Sequence, residues 1–322
     1  MAILFGRGSF AKLAPEASYA TTGSYKTNAI RIIDASLQTT QQRDGRSHLT
    51  TSDGAIRTGF FDTFIESGGS ISVPVYFEGS TLLLKAMIGS IATTGGPTNF
   101  THKLKSSTTD LDSFTLGLSR GSDANGYEVF TGCMVNSGTL TLNAGEEMTL
   151  SLDLIAQNSA ARAAKPVPTY NATQKQIYHY EVTTDLTFNG VTYKVRSFEM
   201  TVENSLERRN VLGDKKTLSP DVTDYRSVTI SVELDAETNA LYNAMLAGTE
   251  SSVLLKVTET GTPTNYIEIQ LKNAIITDYS DPLSTVGRLS QSVTFTGLAS
   301  STTEALQVEI GNTLNAANAL NT

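Results

Sequence analysis

The chain contains no tryptophan, one cysteine, three histidines and eight prolines in 322 residues. The single thiol, Cys133, cannot close an internal disulfide, and histidines at 48, 102 and 179 are too scattered for a structural zinc centre. Without tryptophan, an enzyme that stacks sugars on indole rings is a poor fit. No apolar run approaches the roughly 20 residues of a membrane span, which predicts a soluble chain. The first residues, Met1 to Arg7, are apolar only briefly and lack the order of a secretory signal. Positive charge is also scarce: 24 Lys+Arg against 32 Asp+Glu give a net charge of −8. That balance argues against a protein that grips nucleic acid through its phosphates.

What the chain has instead is serine, threonine and 25 glycines, with 39% apolar and 17% charged residues. This mixture suits short strands joined by tight turns. The length suggests two domains, each able to bury its own core.

A repeat supports that division. Ile71-Ser72-Val73-Pro74-Val75, followed by residues 79–90, recurs as Ile230-Ser231-Val232-Glu233-Leu234 followed by residues 238–249. Both copies read as a strand and then a short helix. Leu83 with Met87 and Leu241 with Met245 give the i, i+4 spacing, and Gly89 and Gly248 end each helix. Upstream, Tyr25-Lys26 and Ser36-Leu37-Gln38 echo Tyr193-Lys194 and Ser205-Leu206-Glu207. Downstream, residues 113–116 match 252–255, Tyr127 matches Tyr266, and residues 145–152 match 287–294. The expected layout is an arm (1–24), a first domain (25–157), a small-residue, Pro-containing linker (158–175), a second domain (176–300) and a tail (301–322) that is helical or disordered.

Within each copy the hydrophobic period is two. Phe198, Met200 and Val202 alternate with polar neighbours, as do Leu150, Leu152 and Leu154. Asn125-Gly126 and Asn189-Gly190 mark tight turns. The fold class is therefore mostly β: two tandem β-sandwiches or flattened barrels, each with one short flanking helix. Each copy also carries a long polar segment, roughly residues 39–54 and 207–226, read as loops.

No catalytic constellation emerges. Glu146-Glu147 reads as a solvated turn, His48 and His179 lack partners at ligand spacing, and Cys133 reads as a small buried apolar residue. The glycines at 117, 121 and 126 lack the Lys-Ser/Thr of a phosphate loop, and Asp123, Asn125 and Glu128 lack the spacing of a calcium loop. Neither enzyme, cofactor nor metal is expected.

The run Phe114-Thr115-Leu116, then Gly126-Tyr127 through Thr-Gly-Cys-Met-Val-Asn-Ser (131–137) to Leu142, then Gly145-Glu146-Glu147, resembles the tail tube proteins of long-tailed bacteriophages in their tandem-duplicated form. The likeness is strongest over residues 70–157. It implies a β-sandwich with a flanking helix, and a structural virion protein. Six such domains make a ring, and stacked rings form the hollow tail tube through which DNA reaches the host. With two domains per chain, the expectation is trimeric rings of pseudo-sixfold symmetry, a hexamer of whole chains being the alternative. Implied partners are further copies of the chain, the tail-tip initiator, the tape-measure protein and the tail terminator. DNA passes without specific binding, no membrane is involved, and assembly takes place in the host cytoplasm. Another virion or surface module, such as a tail spike, a capsid decoration or an Ig-like adhesion protein, is the second reading.

On this resemblance, Glu199, Glu203, Glu233 and Asp153 are candidates to face the lumen, where phosphates must be repelled rather than neutralised. The mixed-charge segments offer ring-stacking candidates. They are Arg43, Asp44, Arg46 and His48 in the first, with Glu207, Arg208, Arg209, Asp214, Lys215 and Lys216 in the second. Ile3, Leu4, Phe5 and Phe10 are expected to carry the arm onto a neighbour.

Overall fold

The computed structural model describes residues 6–46, 59–96, 99–106, 111–171, 174–236, 238–281, 289–299 and 304–314. Period-two patterning dominates the outcome, which is mostly β with two short α-helices. The first half contains β1 (Phe10–Pro15), β2 (Asp34–Ala35), β3 (Gln38–Arg46), β4 (Gly59–Pro74) and α1 (Thr81–Ile88). It continues with β5 (Gly89–Gly95), β6 (Phe100–Ser106), β7 (Phe114–Ser119), β8 (Tyr127–Asn143), β9 (Thr149–Ala156) and β10 (Asn158–Ser159). The second half has β11 (Val182–Phe188), β12 (Val191–Tyr193), β13 (Val195–Glu203), β14 (Leu206–Arg209), β15 (Leu218–Val222) and β16 (Ser227–Asp235). It ends with α2 (Ala240–Leu246), β17 (Ser251–Thr258), β18 (Tyr266–Ser280), β19 (Ser290–Gly297) and β20 (Leu306–Asn312).

The repeat is visible in the pairing. Ile71 lies opposite Leu152 as Ile230 lies opposite Phe295. Tyr127 and Tyr266 open β8 and β18, the longest strands of their halves. Leu116 then faces Phe130 as Leu255 faces Ile269, so 113–116 and 252–255 are true counterparts. Two of the sequence matches are out of register. Ser151 and Thr294 sit opposite Ser72 and Ser231, so residues 145–152 correspond to a window one position later than 287–294. Ser36 bonds beside Ser70, where the second half places Thr201 rather than Ser205. Identity of Ser-Leu pairs misled there, because backbone pairing and not composition sets register.

One antiparallel sheet runs through both halves in the order β2-β4-β9-β8-β13-β16-β19-β18. The second halves of β8 and β18 belong to it, while their first halves bend away into covering layers. β8 there pairs with β7 and β10, and β7 with β1. β18 pairs with β17 and β20, which extend to β11 and β12 on one side and β6 and β5 on the other. One large buried apolar cluster fills the space between layers, with two smaller ones beside it. Phe188 on β11 meets Phe295 on β19 at 5.0 Å between ring centroids. Each such fully buried phenylalanine contributes about 1.5–3 kcal/mol.

Helix α1 is buried on nearly every side, with Leu83 and Met87 in the core. It presses onto Gly138 of β8, where any β-carbon would overlap Met87 Sδ and Leu152 Cδ2. Gly89 ends the helix at φ 125°, a conformation that glycine tolerates. Asn189 and Gly190, at φ 49° and 73°, form the two-residue turn between β11 and β12.

Three expectations change. The segments read as loops are hairpin strands over much of their length: Gln38–Arg46 pairs with β4, and β14 pairs with β15. Residues 306–312, expected in a helical or disordered tail, form a strand. β20 inserts between β18 and β6, because Leu306, Val308 and Ile310 alternate inward. Phe10 does not reach outward; it is fully buried in β1 beside Tyr127 and Ala29 of its own chain. Residues 158–165 run along β8, with Ala163 and Tyr127 exchanging two backbone bonds.

Candidate functional site

The polar face of the eight-strand sheet carries the residues of interest. Along it, positions pair into rows. One row is Ser70, Asp153, Ser137, Glu203 and Ser227. The next is Ser72, Ser151, Thr139, Thr201, Thr229 and Thr296. A third is Thr149, Thr141, Glu199, Ser231, Thr294 and Asp278. The last is Asn143, Ser197, Glu233, Ser292 and Ser280. All four lumen candidates, distant in sequence, therefore lie on one face and are exposed.

None of these positions is lysine or arginine. Among the described residues, no ion pair involves Asp153, Glu199, Glu203, Glu233 or Asp278. The hydroxyls are linked to each other: Ser72 to Ser151 at 2.6 Å, Ser231 to Thr294 at 3.1 Å, and Thr277 to Thr296 at 2.9 Å. Asn136 Nδ2 donates to Asp153 at 3.3 Å and Ser227 Oγ to Glu203 at 3.3 Å. The rows thus combine hydroxyls with carboxylates as their only charged groups, and lack the lysines and arginines with which a phosphate-binding face neutralises its ligand. Asp278 and Asp34, which pairs with Ser72, join this face without having been foreseen. A register shift between Ile276 and Asp278 breaks the period-two signal that would have found the former.

The mixed-charge segments meet at the end of β4. Asp62 accepts Arg43 Nε at 3.0 Å and Lys215 Nζ at 3.0 Å. Ile65 N–H donates to the Lys215 carbonyl at 2.7 Å. Arg209 pairs with Asp221 at 3.3 Å, Asp214 accepts the Lys216 N–H at 2.9 Å, and Asp44 and Glu207 are exposed. The two cations beside Asp62 hold its carboxyl below the usual range. Arg208 is committed within the chain, donating to the Ser67 and Ala156 carbonyls. Burial lowers its pKa. Arg46 ends β3; His48, Ile3, Leu4 and Phe5 lie outside the described residues.

The remaining chemistry-bearing groups are spoken for structurally. Cys133 is fully buried, and burial pushes its thiol well above the usual range. His102 is buried between Thr93, Asn312 and Leu314. Glu146 and Glu147 accept from Asn143 and Gln176. No cluster of three metal-ligating side chains exists among the described residues.

No curated protein matches the sequence. A family profile described as phage tail tube protein matches residues 6–297, nearly the whole chain. The chain belongs to the phage tail tube protein family, a structural component of the virion tail.

Proposed function

We propose that this protein self-assembles into stacked rings that form a hollow tail tube, with the Ser/Thr/carboxylate face lining the bore through which DNA is delivered. The observation that carries the proposal is the four rows of hydroxyls and unpaired carboxylates without a single lysine or arginine. A polyanion slides past such a surface because each phosphate finds water and hydroxyls but no counter-charge. The role is structural, without catalysis or cofactor.

Two similar halves per chain, joined edge to edge, favour trimeric rings of pseudo-sixfold symmetry. The two half-domains on either side of residues 158–175 would then each supply one sixth of the wall. The hairpins around Asp62 bear both charge signs, as a self-complementary stacking surface requires, with Arg43, Asp44, Arg209, Asp214, Lys215 and Lys216 as contacts. Tail-tip, tape-measure and terminator proteins would meet the tube at its ends and inside it, after assembly in the host cytoplasm.

Replacing Glu199 and Glu203 with lysine in phage particles tests the bore. Tubes are expected to form with DNA ejection slowed; unchanged ejection kinetics remove these two residues from the lumen.

A further inference from the structure

Among the described residues the eight-strand sheet ends in two open edges, and the repeat says how they match. Between its halves, the sheet is continuous because the second half of β8 pairs antiparallel with β13: Thr139 faces Thr201 and Thr141 faces Glu199. Among the described residues, the counterparts of these two strands toward the ends of the chain have no such partner. Asp34 lies opposite Ser72 as Glu199 lies opposite Ser231, so Asp34 holds the place of Glu199, and Ser36 that of Thr201. At the far end, Asp278 lies opposite Thr294 as Thr139 lies opposite Ser151, so Asp278 holds the place of Thr139, and Ser280 that of Thr141. Beyond Ala274, β18 pairs only with β19 among the described residues.

Among the described residues β2 pairs only with β4, and β18 beyond Ala274 only with β19, so the two edges do not pair with each other in the chain. They are complementary rather than identical, which makes the contact head-to-tail and repeatable. We infer that the second half of β18 pairs antiparallel with the Asp34–Ser36 edge of the next copy of this chain, with Asp278 opposite Ser36 and Ser280 opposite Asp34.

The receiving edge is shaped for an added strand. A groove of about 650 Å³ is lined by Ile32, Ile33, Asp34 and Ala35 together with residues 6–9 and 118–121. Ile33, one of the lining residues, is 54% exposed although apolar. Arg7, Arg120 and Arg162 line the groove, the last two also holding Glu128, while the incoming strand carries Asp278, with Asp281 just past its end. Arg120 Nη2 already donates to the Leu37 carbonyl at 2.6 Å, which ends the open run just past Ser36. An unpaired edge of this kind in a monomer would otherwise recruit strands at random.

The pairing rests on the ring reading and adds its register. Cysteine pairs in the full chain test it: Ser36→Cys with Asp278→Cys, and Asp34→Cys with Ser280→Cys, against the mismatched Ser36→Cys with Ser280→Cys. Oxidation should shift most of each matched variant into a ladder of covalent multimers ending at the ring size, and leave the mismatched one at the monomer band. Rings seen by electron microscopy without matched cross-links, or with the mismatched pair linking as well, overturn the register alone. Absence of rings from the unmodified chain overturns the reading beneath it as well.

Discussion

Asn204 Nδ2 donates to the Met87 carbonyl at 3.1 Å, so a residue just past β13 closes the C-terminal end of a helix in the other half of the chain. The same amide donates to the Val135 carbonyl at 2.9 Å, and Arg226 Nη1 donates to the Ile88 carbonyl at 3.0 Å. Helix carbonyls at this end have no partners of their own within the helix. The second half supplies them, which ties the two halves together through polar groups as well as through the β8–β13 ladder. Asn204 is almost fully buried. Asn204→Leu should cost about 1–3 kcal/mol, because two buried carbonyls lose their donor. Asn204→Asp, nearly the same shape, should cost at least as much, since a carboxylate faces the same carbonyls. Chemical denaturation of both variants checks this.

Gly138 and Met87 should be energetically coupled. Gly138→Ala places a methyl group against Met87 Sδ and should destabilise by about 1–3 kcal/mol. In a Met87→Ala background the same substitution should cost less, the vacated space receiving the new methyl. A double-mutant cycle measured by denaturation reads the difference; additive penalties would mean that the contact is not the cause.

Docking of β20 should weaken in acid. Burial alone would raise the Glu309 carboxyl, but the Tyr266 hydroxyl at 2.6 Å and Lys103 at 3.2 Å outweigh it and hold it below the usual range. A carboxyl lowered on folding contributes stability that is full above its unfolded value and lost as pH falls through its folded value. Hydrogen-exchange protection of the β20 amides, corrected for the intrinsic pH dependence of exchange, should therefore fall below the ordinary carboxylate range. Glu309→Gln should remove most of that pH dependence.

The Asp62 hairpin cluster should matter for length of tubes more than for stability of the chain. Arg43, Asp62 and Lys215 are substantially exposed, and exposed pairs are screened by salt. Deleting residues 43–48 should leave the melting temperature little changed and rings intact, with long tubes lost. Long tubes from the deleted protein would show that stacking uses another surface.

Much of this was legible in the sequence, for a physical reason. Strands with one wet face leave a period-two trace, and that trace placed Phe198, Met200 and Val202 inward and Glu199 and Glu203 outward. The repeated strand-helix unit at Ile71 and Ile230 survives because both copies pack the same core. What escaped depends on partners distant in sequence. Polar strands such as Gln38–Arg46 read as loops because their pairing, not an apolar face, makes them strands. β20 escaped because its two neighbours, β6 and β18, are separated from it by other strands and, for β6, by most of the chain. Phe10 read as an outward arm because nothing local reveals that β7 receives it. Asp278 escaped because a register shift resets the alternation just before it.

The central claim is that this chain builds a hollow conduit. Negative-stain electron microscopy of the purified protein, fresh and after concentration, tests it most directly. The account predicts rings and tubes with an open centre, showing three chains and pseudo-sixfold symmetry end-on. Compact monomers or solid beads at every concentration and salt, also when mixed with a tail-tip initiator, would contradict it.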